Sequence, residues 1–156
     1  MGKDVVQVTL RAVVPLEGSY AVFLGNDEKT FVIYVDEPVG SAITMSMRGI
    51  VKERPLTHDL LGHVLNAFGG RVDHIVINHL ENGIFHARII LSAENELQHR
   101  KVVELDARPS DSIALAVQHG AKILVSSSVW NSVDDMSDAL DQIEKKGRGK
   151  ADSDEV

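Results

Sequence analysis

The apolar and polar positions of this chain change period several times, and each change predicts an element. From Val5 to Leu16, Val6, Val8 and Leu10 alternate with Gln7, Thr9 and Arg11 in a β-branched run, which predicts a long strand ending at Pro15. Tyr20 to Leu24 and Thr30 to Val35 predict two more strands, joined through the turn-rich Gly25-Asn26-Asp27-Glu28, so the first three should form an antiparallel meander. Asp36-Glu37-Pro38-Val39-Gly40 interrupts the strand pattern, and Ser41 is placed to cap a helix through Ala42, Ile43, Met45 and Met47 to Gly49. A second helix is expected from Thr57 at its N-cap, with His58 and Asp59 in the first turn and Leu60, Leu61, Val64, Leu65 and Phe68 on its apolar face. Val72 to Asn78 and Ile84 to Leu91 then predict a hairpin around Asn82-Gly83, a type I′ pair, which would set Glu81 opposite Ile84 and His79 opposite His86.

The stretch Leu105 to Gly120, LDARPSDSIALAVQHG, places a strand end, a polar turn and a helix in sixteen residues. Ser110 is the expected N-cap and Gly120 the left-handed stop, and the unbroken run Ile113 to Val117 predicts a helix covered on most sides. Asp106, Arg108, Ser110 and Asp111 remain at its mouth, where a strand end meets a helix N-terminus. Laying Asp36 over Asp106 aligns Ile43 with Ile113, Met45 with Leu115 and Met47 with Val117, with Gly49 and Gly120 one residue out of step, which suggests two similar strand-turn-helix halves. Gln98 to Leu105 and Lys122 to Val125 are expected as parallel strands joined by a crossover through this helix, Val129 to Val133 as a turn or short helix, and Asp134 to Lys146 as a helix. The fold class is α+β: a mixed, mainly antiparallel sheet with apolar helices packed on it. Residues 1–146 form one domain, and 147–156 read as a disordered polar tail.

Composition narrows the chemistry. With 44% hydrophobic and 25% charged residues the chain reads as an ordinary globular domain, and with no cysteine any metal would need carboxylate, imidazole or water ligands. A formal net charge of −7 and 4% aromatic residues argue against a basic nucleic-acid coat and against a base-stacking platform. The start, MGKDVVQVTL, has no apolar run of signal length and no segment approaches a membrane span, so a cytoplasmic location is expected. Exposed strand edges in the N-terminal half lead to the expectation of a homodimer.

DARPSDSIALA, together with RPLTHDLL at Arg54 to Leu61, resembles the bifunctional nuclease domain family of bacteria and plants, and the likeness runs from about Val6 to Val133. The resemblance implies a compact α+β domain and, for some relatives, cleavage of both DNA and RNA. Asp106, Arg108, Pro109, Ser110 and Asp111 match the family's motif in place, and His58 and Asp59 match its second motif. One departure is that Val39-Gly40 stands where the family usually has an acidic residue followed by alanine, with Asp36 and Glu37 upstream as substitutes.

On this reading Asp106 and Asp111 would hold magnesium or manganese, Arg108 and Arg54 would hold phosphate with Ser110, and His58, beside Asp59, would carry a proton. The competing readings stay open at this point. Asp111 in a first turn also stabilises the helix dipole, Asp106 can bond turn amides, either arginine can pair with an aspartate, and His58 and Asp59 can serve a well-capped helix start. The His79 and His86 pair ranks low as a metal site. The function expected is a metal-assisted nuclease on DNA or RNA, and the alternative is a non-catalytic ligand-binding or protein-binding regulatory module.

Overall fold

The structure is a computed structural model that describes residues 4–154, with side chains described through 147. Seven strands and five helices follow in the order β1 (Val5–Pro15), β2 (Ser19–Gly25), β3 (Thr30–Asp36), α1 (Glu37–Arg48), α2 (Thr57–Ala67), β4 (Gly70–Glu81), β5 (Ile84–Glu94), β6 (Arg100–Ala107), α3 (Pro109–His119), β7 (Lys122–Ser126), α4 (Ser127–Ser132) and α5 (Ser137–Asp154). The strands form one mixed α+β sheet in the order β3-β2-β1-β7-β4-β5-β6, antiparallel throughout except for β4 beside β7. α5 extends into the segment expected as a tail, and the side chains of 148–156 lie outside the described residues. Among the described residues no helix is long and apolar enough to cross a membrane.

The strand order is symmetric about β7. The units β1-β2-β3-α1 and β4-β5-β6-α3 have the same internal pairing, and β1 and β4 run in opposite directions on either side of β7. That is the arrangement a pseudo-twofold axis normal to the sheet produces. The register of the repeat differs from the sequence alignment, because both helices start earlier than the serines suggested. Proline has no N–H to forfeit in a first turn, so α1 begins at Glu37 with Pro38 second and α3 begins at Pro109, leaving Asp36 and Arg108, and not Ser41 and Ser110, as the N-cap residues. Asp36 is therefore the counterpart of Arg108 and not of Asp106. Gly40, Ala42 and Ile43 in α1 then fall over Ser112, Ala114 and Leu115 in α3, all buried. α2 likewise begins one residue before expectation, with Leu56 at its N-cap and Thr57 inside the helix.

The crossover expectation holds: β6 and β7 run in the same direction in the mixed sheet and are joined through α3, with β4 and β5 between them, and the partners of β7 are β1 and β4. The hairpin is as the Asn82-Gly83 turn dictates: Asn82 and Gly83 have φ of 53° and 77°, Glu81 faces Ile84 and His79 faces His86.

α1 and α3 pack on each other and on one face of the sheet, and α3 carries the most completely enclosed segment, Ser112 to Ala116. A sheet wrapped around a helix has to curl. β3 and β5 are separated by four strands, roughly 24 Å across a flat sheet, yet the rings of Phe31 and Phe85 lie 6.0 Å apart, with Trp130 edge-on to Phe31 at 6.2 Å. The other face of β1-β2-β3 is covered by Met136 and Leu140 against Ala21 and Phe23. The start of β3 is closed by Asp135, whose carboxylate accepts from the Thr30 amide while Met136 N–H donates to the Thr30 carbonyl at 2.6 Å.

Two local fits fix the helices. A side chain at Gly40 would begin 2.3 Å from the ring of Tyr20, so α1 lies on that ring only because position 40 has no Cβ. Gly40→Ala should therefore destabilise the fold by about 1–3 kcal/mol, read as a lower urea midpoint, and a midpoint equal to the parent's would show that the helix can step back at no cost.

Asp59 ties three segments together. Its carboxylate accepts from the Leu56 amide at 2.8 Å, from Lys52 Nζ at 2.8 and 2.9 Å, and from the Gln118 amide of α3. These donors, Lys52 first, hold its pKa below the ordinary carboxylate value against the opposing effect of burial. A lowered folded-state pKa means that the stabilisation is fully present above the unfolded value near 4 and is lost as pH falls through the folded value. Asp59→Asn should cost about 2 kcal/mol at pH 7. The gap between parent and variant should narrow when urea melts are repeated at pH 3, and a gap independent of pH would refute the charge-based account.

Candidate functional site

Four of the polar residues read from the sequence converge where the first turns of α2 and α3 meet the end of β3. α3 is held by its buried run, so its first turn is fixed, and Ser112 Oγ donates back to the Arg108 carbonyl at 2.8 Å to anchor the cap. From that turn the Asp111 carboxylate reaches two groups: Oδ1 lies 2.9 Å from His58 Nε2 and Oδ2 lies 3.4 Å from Arg108 Nε. The Arg108 guanidinium in turn stands 3.6 Å from Asp36 Oδ2. The result is a chain of alternating charge capacity, His58, Asp111, Arg108, Asp36, crossing from α2 over α3 to the end of β3.

The environments along this chain are graded. The His58 side chain is 16% exposed and that of Asp111 37%, whereas Arg108 and Asp36 are largely in solvent. Asp111 sits in the first turn of an eleven-residue helix, at the positive end of its dipole. A carboxylate on Nε2 sets the orientation of the histidine ring and leaves Nδ1 for other work.

On the other flank of Arg108 lies an open cleft of about 470 Å³. Its walls are Val32 to Asp36 of β3, Gly83 to Phe85 at the hairpin, and Arg108, Pro109 and Ser110. Tyr34 and Ile84 expose most of their side chains there. The cleft exists because the sheet curls without closing, so the edge strand β3 faces the hairpin across a gap. His58 does not line it; Arg108 stands between the cleft and the His58–Asp111 pair.

The remaining expected site residues are elsewhere. Asp59, next in sequence to His58, is turned inward to Lys52 and Gln118 and serves the fold. Asp106 pairs across the ladder with Arg88, and Arg88 reaches Glu104 at 3.9 Å, so these even-numbered positions of β6 share one face. Its neighbour Ala107 packs into the core on the opposite face, where α3 lies. The pleat thus separates Asp106 from Asp111 and does not bring them to one ion. Arg54 is exposed in the connection before α2, and among the described residues its side chain has no hydrogen bond or ion pair. His79 and His86 stack edge-on at 5.3 Å, with His79 3.3 Å from Glu81.

Magnesium or manganese, implied by the family resemblance, can be tested against this donor set. Among the described residues no three histidine, aspartate or glutamate side chains gather as a metal ion requires. Asp106 faces away, and both oxygens of Asp111 are engaged. The residues present do not fit an ion held by the protein alone.

Sequence reasoning passed over Lys52 and Gln118, and also Tyr34, Ile84 and Phe85. Gln118 had a signal, since it lies seven residues after Asp111 and so on the same face of α3. The cleft residues had none, because only the curl of the sheet brings them to Arg108.

The chain is similar to known proteins over most of this fold. The family model described as the bifunctional nuclease domain matches residues 22–137. Two uncharacterized proteins of Mycobacterium tuberculosis, from strain CDC 1551 / Oshkosh and strain ATCC 25618 / H37Rv, are each 31% identical over 104 residues, covering 67% of this chain and 58% of theirs. The chain thus matches somewhat more than half the length of these relatives. The matched region runs from β2 to the start of α5 and takes in both helix mouths and the cleft between them, and on that extent the chain belongs to the bifunctional nuclease domain family.

Proposed function

We propose that this protein hydrolyses phosphodiester bonds of DNA or RNA at the junction of α2 and α3, with His58 as general base, Asp111 as its orienting carboxylate and Arg108 as the phosphate ligand. The observation that carries the reading is the 2.9 Å contact between His58 Nε2 and Asp111 Oδ1, with Arg108 beside Asp111 at the lip of the cleft. Membership of the family supports nucleic acid as the substrate.

In this reading a nucleotide enters the cleft with its base against Tyr34 and Ile84, whose exposed side chains offer an apolar wall, and its phosphate meets the Arg108 guanidinium and Ser110 at the start of α3. His58 takes a proton from water, the resulting hydroxide attacks phosphorus, and the bond to the leaving oxygen breaks. The imidazolium, stabilised by Asp111, then returns its proton to that oxygen. Asp36 restrains Arg108 and gives way as phosphate takes its place. A volume of about 470 Å³ suits one nucleotide, and a chain of net charge −7 binds the rest of a nucleic acid weakly.

The test is cleavage of labelled single-stranded RNA and DNA by purified parent and variants. His58→Gln should lose on the order of 10²-fold or more in kcat, the range for a proton-transfer residue, with its melting temperature nearly unchanged. Arg108→Lys keeps the charge but not the fork, and should raise KM more than it lowers kcat. Cleavage should persist in EDTA. Strict dependence on magnesium would instead give Asp111 a ligand's role and overturn the proton-transfer assignment, and equal rates in parent and His58→Gln would assign the cleavage to a contaminant. Saturable binding of oligonucleotide without product would leave the cleft a binding site only.

A further inference from the structure

The cleft beside Arg108 continues past Tyr34. A second cavity, of about 270 Å³, adjoins it, and Val32, Tyr34, Gly83 and Phe85 line both, so the two run together along the free edge of β3. The inner part of this second cavity is apolar, with Phe31, Leu80 and Met136, and the connection between α4 and α5 closes it at Asp134.

Two aspartates stand side by side in that connection, and the second serves the fold. Asp135 accepts from the Thr30 amide and from the amide and hydroxyl of Ser137. Met136 N–H donates to the Thr30 carbonyl, and Val133 N–H to the Val129 carbonyl. The backbone is thus fastened on both sides of Asp134, whose own carboxylate has no hydrogen bond or ion pair among the described residues. Ser132, at the same rim, donates its hydroxyl proton to the Ser128 carbonyl. A carboxylate with free lone pairs at the rim of an apolar cavity repels phosphate. It accepts instead from N–H donors on a group whose body is apolar.

We propose that this second cavity reads guanine in the nucleotide next to the one held at Arg108, with Asp134 as the residue that sets the preference; the inference rests on the nucleic-acid reading of the cleft given above. The charges of the groove stand in the order such a strand requires. Arg108 offers a cation to phosphate at one end, and Asp134 offers an anion to the edge of a base at the other. Between them the walls are apolar, as the faces of a base require.

The choice among bases follows from their Watson–Crick edges. Guanine carries a ring N–H and an amino group side by side, and both can donate to one carboxylate. Adenine and cytosine set an amino group beside a ring nitrogen that accepts, and uracil or thymine sets an N–H between two carbonyls. Each of these turns a lone pair toward the carboxylate, which loses a hydrogen bond and adds repulsion. Contacts of this bidentate kind discriminate between bases by on the order of ten- to a hundred-fold.

The experiment measures binding by fluorescence anisotropy, on the full chain carrying His58→Gln so that turnover does not consume the probe. The probes are short labelled DNA strands in which thymine alternates with guanine, hypoxanthine, adenine or cytosine. The guanine strand should bind on the order of ten-fold or more tighter than the adenine and cytosine strands. Hypoxanthine keeps the ring N–H and lacks the amino group, so its strand should fall between. Adding Asp134→Asn should move the preference from guanine to adenine and cytosine, because an amide sets an acceptor and a donor against their amino group and ring nitrogen. The melting temperature should stay the same, since the Asp134 side chain is exposed. Equal affinities across the series, no binding to any strand, or a guanine preference that survives Asp134→Asn would each overturn the proposal. A guanine preference in a parent that does not cleave would refute hydrolysis and keep the base-reading cavity, and cleavage with equal affinities would do the reverse.

Discussion

The structure depends on the enclosure of one helix. The run from Ser112 to Ala116 is buried all round, and a helix without a solvent face has to be surrounded by other elements. α1 and α2 lie against it and the sheet bends about it until β3, at one end of the ladder, and β5, next to the other end, bring Phe31 and Phe85 together. Everything of chemical interest is a boundary effect of that enclosure. The enclosed run stops at Ser112, so Asp111, Ser110 and Arg108 just before it are the first polar side chains that can reach water, and Arg108 and Ser110 do so at the cleft between β3 and the hairpin.

What was legible in the sequence follows the range of the forces involved. The Asn82-Gly83 turn set the hairpin register because both residues tolerate positive φ and two residues suffice to close the loop. The burial of α3 was legible because its apolar run leaves no polar face. Helix starts were misread where serine competed with proline: proline at the first or second helical position determines the start through its fixed φ and missing N–H, and the serines fell inside the helices. The placement of β7 between β1 and β4 was hidden, since no local pattern says which neighbours a short strand will find.

The candidate site divides along the same line. That Asp111, Arg108 and His58 share a locality was visible as two motifs at helix starts, while their contact depends on α2 lying against α3, a packing fact carried partly by Gly62. Asp106 looked equivalent to Asp111 in the linear motif, yet the pleat of β6 sends its side chain to the far face of the sheet. Five residues of separation do not by themselves bring two carboxylates together, and here a strand ends and a helix begins between them.

The two helix mouths face each other across the seam, and the contact between Asp36 and Arg108 joins structurally corresponding residues of the two halves. Strict twofold identity would set a residue against its own duplicate there, acid against acid or base against base, and like charges so near repel. Unlike charges remove that repulsion and make the two mouths inequivalent. One half then presents a cation flanked by a histidine–carboxylate pair, the other only an acid that restrains the cation. The fold is nearly palindromic, and the candidate site lies at the position where the palindrome is broken.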